Sequence, residues 1–401
     1  MDWGKMESEM KKGEVRNLPK GWKIKCLEEI CLFGNGLWTG KKPPFQKVSV
    51  IRNTNFKKDG KLDDTDIVIL DVEQSQFTKR KLKYGDIILE KSGGGPKQPV
   101  GRVILFDKKE GDYSFSNFTS VIRIIDSNSI DFNYLHQFLF FLYITGITEV
   151  MQSHSTGIRN LKFDDYKAIK IPIPPLSEQQ RIVSILDEAF AAIAKAKANA
   201  EQNLKNAKEL FGSYLHNINA TSVELGTLIN INTGKLNSNA AVENGKYPFF
   251  TCSRETFAIN IYAFDLEAIL LAGNNASGDF NVKHYKGKFN AYQRTYVITI
   301  NNDDKIIYRY LYFQLLNSLK KFKENAVGSN TRFLKLGIIE NMQISLPGIG
   351  EQQSIVTKLD ALSSETKRLE SIYQQKLLSL EELKKSILQK AFNGELTTEK
   401  A

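Results

Sequence analysis

The sequence has few of the residues that covalent cross-links and metal sites require. Three cysteines in 401 residues, an odd number, predict no disulfide framework. Cys26 and Cys31 lack a second Cys or His pair at the spacing of a zinc site. Only four histidines are present, scattered along the chain: His136, His154, His216 and His284. We therefore expect neutral core or surface histidines and no metal site.

Long apolar runs are also missing. No stretch approaches the roughly 18 apolar residues of a membrane-spanning helix, and no signal-peptide pattern is recognisable. Hydrophobic residues make up 41% of the chain and charged residues 25%, which is typical of a globular protein. We predict a cytoplasmic protein without a membrane partner. The net charge of +10 fits a polyanionic partner but does not establish one.

Known catalytic motifs are absent too. The segment 34–42, GNGLWTGKK, lacks the spacing of a phosphate-binding loop and has no Ser or Thr after its lysine. In Lys42-Pro-Pro-Phe45 a lysine stands where a base-flipping methyltransferase needs an amide or carboxylate. We therefore predict no catalytic residue in this chain. An enzyme with unrecognised motifs is a rival interpretation, which activity of the purified chain alone would support.

What the sequence does contain is a duplication. Residues 171–187, IPIPPLSEQQRIVSILD, recur as residues 344–360, ISLPGIGEQQSIVTKLD, at a constant offset of 173. Between Glu178 and Asp187, seven of ten positions match their partners. Two similar halves are the simplest explanation.

Each copy leads into a long proline-free amphipathic stretch, in the conserved regions 171–220 and 344–401. Ser177 with Gln180 predicts a capping box, and Gly350 a weaker cap. The first apolar seam consists of Ile182, Leu186, Ala189, Ile193, Ala196, Ala200, Ala207, Leu210 and Tyr214. The second consists of Ile355, Leu359, Leu362, Leu369, Tyr373, Leu380, Leu383 and Ile387. This 4-3 spacing predicts two helices of roughly 40 residues, paired as an antiparallel coiled coil. Amphipathic helices on a globular core are the alternative.

Two globular domains, 1–170 and 221–343, precede the long helices. In the first we predict short strands at Lys47–Arg52, Ile67–Asp71, Asp86–Glu90, Val100–Phe106 and Ser120–Ile125. Buried helices are predicted at Asn133–Tyr143 and, in the second domain, Lys305–Phe322. The second domain aligns with the first at decreasing offsets, so the first carries 25 extra residues, mostly before Leu89. The fold class predicted is α+β, with an internal pseudo-two-fold repeat.

Loops of the two domains carry candidate DNA-binding residues. In the first domain a glycine-rich loop, residues 91–102, lets the backbone approach another molecule closely. It carries the hydrogen-bond donors Lys97, Gln98 and Arg102. A flexible hairpin with solvated charges is the alternative. The corresponding loop and flanking strands of the second domain carry Asn274, Asn275, Ser277, Tyr285, Lys286, Tyr292, Gln293 and Arg294. Amides suit adenine and Arg suits guanine in the major groove, whereas Lys and Tyr more often hold phosphates.

A third pair of loops lies just before the repeated segments. Arg159, beside Asn160, corresponds to Arg332 at the offset of 173. These arginines could grip backbone phosphates. They could equally tie each domain to its helix through a structural ion pair, and the sequence does not decide between the two.

The repeated Pro-Leu-x-Glu-Gln-Gln-x-Ile-Val-x-x-Leu-Asp pattern resembles the conserved regions of the specificity subunit of type I restriction-modification systems. Leu18-Pro-Lys-Gly-Trp22 resembles the start of that family's first recognition domain. Ala391-Phe-Asn-Gly-Glu-Leu396 resembles its C-terminal signature. The second copy departs from the pattern, with Gly348-Ile349-Gly350 in place of Pro175-Leu176-Ser177.

The resemblance implies a non-catalytic subunit that reads double-stranded DNA. Each domain would read one half of a split asymmetric target, and the helix pair would set the spacer. It also implies two methyltransferase subunits and two restriction motor-nuclease subunits as partners. S-adenosylmethionine, ATP and Mg would be used by those partners, with no cofactor in this chain. The expected docking residues are Glu178, Gln179, Gln180, Glu351, Gln352 and Gln353, although helix capping alone could explain them.

A second rival is a coiled-coil scaffold or decoy that imitates a specificity subunit without reading sequence. Such a protein would bind the partner subunits and confer no methylation pattern. A methylation map of cells containing the chain and its methyltransferase would distinguish the two.

Overall fold

The computed structural model describes residues 18–38, 40–96, 98–155, 158–216 and 220–396. The chain divides into two compact units. Unit 1 comprises Met1–Ala198 and Leu377–Ala401, and unit 2 comprises Asn199–Lys376. Each unit thus contains one globular domain with parts of both long helices. The prediction of an α+β fold with two similar domains is confirmed.

The first domain contains twelve described strands and four helices. They are β1 Lys23–Cys26, α1 Leu27–Ile30, β2 Cys31–Asn35, β3 Phe45–Ile51, β4 Val68–Glu73, α2 Gln74–Arg80, β5 Ile87–Glu90, β6 Ser92–Gly94, β7 Val103–Leu105, β8 Tyr113–Phe115, β9 Thr119–Ile124, α3 Phe132–Ile144, β10 Gln152–Ser155, β11 Ile158–Leu161, α4 Phe163–Lys167 and β12 Lys170–Ile173. The first long helix, α5, follows at Leu176–His216.

The second domain follows the same order with fewer elements. They are β13 Ser222–Glu224, β14 Ile229–Thr233, β15 Tyr247–Phe250, β16 Phe257–Ile259, β17 Phe264–Ala272, β18 Asn274–Asn275, β19 Val282–Ala291, β20 Thr295–Ile300, α6 Tyr308–Asn317, α7 Leu319–Asn325, β21 Arg332–Phe333, α8 Leu336–Glu340 and β22 Gln343–Ser345. The second long helix, α9, is Ile349–Phe392. No helix in the described ranges is long and apolar enough to cross a membrane.

The core of the first domain lies between a sheet and helix α3. The sheet has the order β2-β9-β5-β7, and the side chains of β5 are buried on both faces, as its apolar run predicts. Asp131 caps α3, since its carboxylate accepts from the backbone N–H groups of Asn133 at 2.8 Å and Tyr134 at 3.0 Å. Helix α3 is apolar on most sides and contributes eight buried residues.

All five strands predicted in the first domain are present, with bounds shifted by a few residues. The largest change is in the strand predicted at Val100–Phe106, which is shortened to β7. The reason is that Gly101 adopts a positive φ of 109° and its N–H bonds to the carbonyl of Glu90 at 2.9 Å. The extra residues of this domain form α2 and extend the chain between β3 and β5, before Leu89 as predicted. There β3 joins β4 and β8 in a separate three-stranded sheet.

In unit 1 the first part of α5 and the last part of α9 run antiparallel. Arg181 donates to the carbonyl of Leu396, and Lys197 Nζ lies 3.3 Å from Glu381 Oε1. Seam residues Ile182 and Leu186 are buried in one cluster with Leu388, Ala391 and Phe392. Leu383 was predicted to lie in the seam, which is wrong: it is 47% exposed. Its neighbour Lys384 instead lies over the rings of Phe140 and Phe190, at 4.6 and 4.8 Å from their centroids.

Both predicted helix caps are wrong by two residues. The carbonyl of Pro175 accepts from the N–H groups of Glu178 and Gln179, so α5 begins at Leu176 and Ser177 lies inside its first turn. The carbonyl of Gly348 accepts from Gln352 at 2.9 Å, which places Gly350 inside α9.

The sheet of the second domain has six strands, in the order β14-β20-β17-β19-β15-β16. Its helical layer differs from the predicted single helix at Lys305–Phe322, because α6 ends at Asn317 and α7 begins at Leu319. Between them the N–H of Ser318 bonds to the carbonyls of Gln314 and Leu315, both at 3.1 Å. The Ser318 hydroxyl also donates to the Gln314 carbonyl at 2.9 Å. Such back-bonding competes with helix continuation.

His136 lies in α3 under the loop that contains Gly60. It is buried, its ring stacks 6.3 Å from that of Phe140, and its Nε2 has no hydrogen-bond partner in the described part of the chain. Burial lowers the pKa of His136 from 6.5 to about 4. The imidazole is therefore neutral in the folded protein at neutral pH.

The stability of the first domain should consequently fall as pH falls from about 6.5 towards 4. In that window the unfolded chain takes up a proton at His136 that the folded chain excludes, which costs about 1.4 kcal/mol per pH unit. We expect wild type to lose roughly 2 kcal/mol more than His136→Leu between pH 7.5 and pH 5. Urea unfolding at the two pH values measures this. His136→Gln, which is also neutral throughout, is the control, and equal pH dependence in all three proteins would contradict the assignment.

Candidate nucleic-acid interface

Two loops of the first domain that the sequence suggested separately are joined in one small sheet. Strand β6, in the glycine-rich loop, pairs with β11, which continues into the hairpin with β10. Gly94 lies opposite Arg159, and Ser92 lies opposite Asn160. The Ser92 hydroxyl bonds to Asn160 Oδ1. The glycine-rich loop and the Arg159 loop therefore form a single surface.

The second domain repeats this arrangement with other side chains. Strand β18 pairs with β21, so that Asn275 lies opposite Arg332 and Asn274 lies opposite Phe333. The Asn275 carboxamide oxygen accepts from the N–H and the hydroxyl of Ser277, both at 2.9 Å, and thereby closes the turn after β18. The same two loops are joined in both domains, although their residues differ.

Glycine is required where the first of these loops folds back on itself. A Cβ at Gly94 would lie 2.8 Å from both the Gln98 carbonyl oxygen and Val100 Cγ1. The backbones of Gly95 and Gln98 bond to each other at 2.9 and 3.1 Å. The Gln98 side chain is exposed, as a DNA-binding residue must be. Lys97, the other predicted donor at this tip, lies outside the described residues.

Arg102 was predicted as a DNA donor, but the structure commits it to the interior of the domain. Its Nε and Nη2 bond to the Glu90 carboxylate at 2.7 and 2.8 Å, and its Nη1 and Nη2 donate to the carbonyls of Phe56 and Asn53 at 3.0 Å. The Glu90 side chain is fully buried and that of Arg102 is 12% exposed. The physical reason is that a buried carboxylate needs a charged partner. Arg102 therefore holds the base of the loop.

Lys91 is a basic residue of the same loop that was not singled out beforehand. Its Nζ donates to Asn35 Oδ1 at 2.7 Å, and burial lowers its pKa. The backbone of Lys91 also meets the Arg159 loop, because its carbonyl accepts from Leu161 at 2.8 Å. Lys91 thus fixes the loop to the end of β2.

Two residues predicted for DNA in the second domain lie away from the paired strands. Tyr285 lies opposite Ala268 in the hairpin of β17 and β19, and its ring packs 5.3 Å from that of Phe250. Lys286 lies opposite Glu267 and pairs with its carboxylate at 2.9 Å, which raises the pKa of Lys286. Glu267 is five residues before the end of β17, roughly 17 Å along an extended strand. DNA contact by this pair stays a prediction that the loop geometry does not support.

The segment Tyr292-Gln293-Arg294, in contrast, adjoins the β18 loop. The N–H of Gly273 donates to the Arg294 carbonyl at 2.8 Å. Gln293 Nε2 donates to Asn237 Oδ1 at 2.8 Å, which orients an exposed amide pair. Asn237 is the member of this pair that the sequence analysis missed. Arg294 is exposed beside these groups.

The sequence left two roles open for Arg159 and Arg332. In the described ranges neither forms an ion pair, and Arg332 Nη1 instead donates to the carbonyl of Ala326 at 3.0 Å. The alternative of a structural ion pair to the long helix is therefore unsupported there. Phosphate contact by both arginines stays a prediction.

Gln179 and Gln352 were predicted on outward docking faces, and this is wrong, because both are fully buried. Gln179 Oε1 accepts from the N–H of Asp131 at 2.8 Å, and its Nε2 donates to the carbonyls of Ser129 and Pro174, both at 2.9 Å. This side chain therefore ties the start of α5 to the start of α3.

Gln352 makes the same three bonds in the second domain. Its Oε1 accepts from the N–H of Ile307 at 3.1 Å, and its Nε2 donates to the carbonyls of Lys305 and Pro347, both at 2.8 Å. The repeated glutamine thus joins each long helix to its domain, which explains why both copies of the segment contain it.

The other predicted docking residues are accessible. Gln180, Glu351 and Gln353 are exposed. The Glu178 side chain is 19% exposed and forms a bidentate pair with Arg181, at 2.7 and 2.9 Å. These four residues remain candidates for a partner surface. Among the residues that the structure describes, no group of three or more His, Cys, Asp or Glu could hold a metal ion.

The type I restriction enzyme EcoDI specificity subunit of Escherichia coli is 43% identical over 180 residues, which are 44% of this chain and 39% of that subunit. The chain thus spans less than half of that subunit. The StySPI specificity subunit of Salmonella potsdam is 26% identical over 437 residues, 95% of this chain and 90% of the subunit.

Two solved structures share the fold. One chain, from a study of complex assembly and conformational transition of the type I R-M system, gives a TM-score of 0.75 at 19% identity and covers 95% of this chain and 100% of its own length. The HsdS subunit of Thermoanaerobacter tengcongensis gives a TM-score of 0.57 at 18% identity, covering 95% of this chain and 99% of its own.

A family profile extends the likeness to both halves. The family described as "Type I restriction modification DNA specificity domain" matches residues 19–205 and 217–378, one match for each domain with its adjoining helix. Together the two matches cover most of the chain. The chain therefore belongs to the type I restriction-modification DNA specificity family.

Proposed function

We propose that this chain is the non-catalytic sequence-specificity subunit of a type I restriction-modification complex and that each domain reads one half of a split DNA target. The observation that carries the proposal is the pairing of the same two loop strands in both domains with different side chains, β6 with β11 and β18 with β21. A common scaffold with divergent loops is the usual basis of binding specificity. Because the two loop pairs differ, the two half-sites should differ.

The experiment that tests this function is co-expression with the neighbouring methyltransferase gene in a methylation-free bacterial host. Modified adenines are then mapped across the genome. A single motif of two short, unlike half-sites around a fixed gap is the expected result. A complex that forms without any modification would instead support the decoy or scaffold.

The partners follow from the same proposal. Adenine methylation with S-adenosylmethionine, and ATP-driven cleavage, would belong to methyltransferase and motor-nuclease subunits. The family likeness supports a specificity role for this chain, and the chain from a study of complex assembly of the type I R-M system supports association with partner subunits. Two copies of the repeated helix start fit two methyltransferase subunits, one for each half.

The docking surface should include the exposed residues at each helix start. We expect Glu351→Lys together with Gln353→Lys to remove one of two bound methyltransferase copies, because the two lysines change the charge and shape of the exposed surface while Gln352 still holds the helix in place. The ratio of the two proteins after co-purification measures this. Glu382→Lys, an exposed charge change elsewhere on α9, is the control. An unchanged ratio in the double variant would place docking elsewhere.

The two long helices should set the gap between the half-sites. At about 1.5 Å per residue, α5 with 41 residues is roughly 60 Å long, which exceeds one DNA turn of about 34 Å. Inserting seven residues near the middle of both α5 and α9 adds about 10 Å, or roughly three base pairs at about 3.4 Å each. We expect the gap in the methylation motif to lengthen by that amount with unchanged half-sites. A gap of the original length would contradict the proposal that the two helices set the spacing.

A further inference from the structure

Each domain contains an equivalent tight turn, which lies just before β9 in the first domain and just before β20 in the second. In the first domain the N–H of Thr119 bonds to the Ser116 carbonyl at 3.0 Å. In the second, the N–H of Thr295 bonds to the Tyr292 carbonyl at 2.8 Å. Both threonines are buried at the start of β9 and β20. We name residues 116–118 and 292–294 the corner turns.

The corner turns are bonded directly to the candidate DNA-binding loops. The N–H of Ser92 donates to the Phe118 carbonyl at 3.2 Å, and that of Gly273 donates to the Arg294 carbonyl at 2.8 Å. The N–H of Lys91 also donates to the Phe118 carbonyl, at 3.0 Å, and Lys91 and Gly273 are the first residues after β5 and β17. Phe118 and Arg294 therefore occupy equivalent positions, each at the last residue of its corner turn.

Both equivalent side chains face solvent. Phe118 is 47% exposed, and Arg294 is exposed as well. The Phe118 ring lies against the backbone of Gly93, where a Cβ would be 3.4 Å from Phe118 Cδ1. Gly93 has a positive φ of 93°, so the loop passes close under the ring. The ring is thus held beside the paired strands rather than in the core.

The surroundings of the two corner turns differ in chemistry. In the first domain Leu37 pairs with Ser116, and the next residue is Trp38, which is 67% exposed. In the second domain Leu236 pairs with Tyr292, and the next residue, Asn237, accepts from the Gln293 amide. One backbone scaffold thus presents an aromatic surface in the first domain and a polar, cationic surface in the second.

We propose that the corner turns read bases and that Phe118 and Arg294 are specificity-determining residues of the two half-sites. An arginine in the major groove can donate two hydrogen bonds to O6 and N7 of guanine, whereas an apolar ring contacts the methyl group of thymine. The second half-site therefore contains a guanine read by Arg294, and the first contains a thymine contacted by Phe118. This inference rests on the function proposed above.

The test maps methylation by Phe118→Ala and Arg294→Ala, each co-expressed with the methyltransferase. Phe118→Ala should relax one thymine position of the first half-site, and Arg294→Ala one guanine position of the second. We expect discrimination at the affected position to fall roughly ten-fold or more, with the opposite half-site unchanged. Phe45→Ala, which removes a ring with the same 47% exposure, and Arg368→Ala on α9 are matched controls that should leave both half-sites intact.

A binding measurement distinguishes a variant that is misfolded from one that has lost base discrimination. Purified complexes are titrated with duplexes that differ at the one affected base pair, in competition with the wild-type target. The inference is overturned if both variants retain wild-type discrimination there, or if one weakens both half-sites equally, since that is a structural effect. If wild type itself gives no split motif, the proposed function fails and the inference fails with it.

Discussion

Replacing Arg102 by methionine is expected to lower the free energy of unfolding of the first domain by about 3–5 kcal/mol. The substitution leaves the fully buried carboxylate of Glu90 without its charged partner and removes the donors that satisfy the carbonyls of Phe56 and Asn53. A buried charge without a partner costs far more than the pair itself contributes. Urea unfolding of the purified chain, followed by hydrogen exchange of β5 and β7, would measure the loss.

The control is an ion pair of similar length on the surface of the same domain. Lys108 Nζ lies 2.8 Å from Asp64 Oδ2, with both side chains accessible. Lys108→Met should cost only a small part of the Arg102 effect, since water and salt screen exposed pairs. Glu90→Leu combined with Arg102→Met should recover part of the stability, because no charge is then buried. Equal losses for Arg102→Met and Lys108→Met would contradict the assignment of Arg102 to the interior.

Replacing Phe392 by alanine should destabilise the first domain by about 3–5 kcal/mol, although the residue lies at the end of α9. The Phe392 ring is 5% exposed, and its centroid lies 5.5, 5.0 and 5.5 Å from the rings of Tyr134, Phe138 and Phe141. Truncation leaves a cavity among three aromatic side chains that cannot easily close. Faster hydrogen exchange in α3 would locate the effect in the first domain.

Leu378→Ala provides the matched comparison. Leu378 lies on the same helix but is 63% exposed, so its truncation removes little buried surface. We expect the unfolding midpoint and the exchange rates in α3 to change little. A Phe392→Ala protein with α3 as protected as in wild type would show that α9 does not complete this core.

The elements that the sequence predicted well are those with a strong period or a continuous apolar run. The long helices and the strands at β3, β5 and β9 lie close to their predicted bounds, because burial of one face or both faces repeats along the chain. The break at Ser318 had no comparable signal, since a serine inside an apolar helix is compatible with continuation. The break becomes visible only in the hydrogen bonds that Ser318 makes to Gln314 and Leu315.

At the site, the sequence identified the right loops but not the direction of each side chain. Arg102 stands in a basic, glycine-rich segment, and nothing local indicates that Glu90 is its partner across the strand pair. For Gln179 a signal did exist. It precedes Ile182 by three residues and Leu186 by seven, which is the spacing of the buried face. Gln352 has the same relation to Ile355 and Leu359, so helical periodicity alone could have placed both glutamines inward.

The packing of Phe392 also constrains when the first domain can fold in a cell. A Cβ at Gly394 would lie 2.5 Å from Pro19 Cγ, so the AFNGEL segment packs closely against the LPKGW segment, whose synthesis began the domain. At about 5–20 residues per second, the ribosome needs roughly 10–40 s to pass from β12 to Phe392. During that time Tyr134, Phe138 and Phe141 lack the Phe392 ring that packs against them in the folded chain. The first domain to be synthesised is thus completed late, and its aromatic pocket is exposed to chaperones or to misassembly until translation reaches the end of α9.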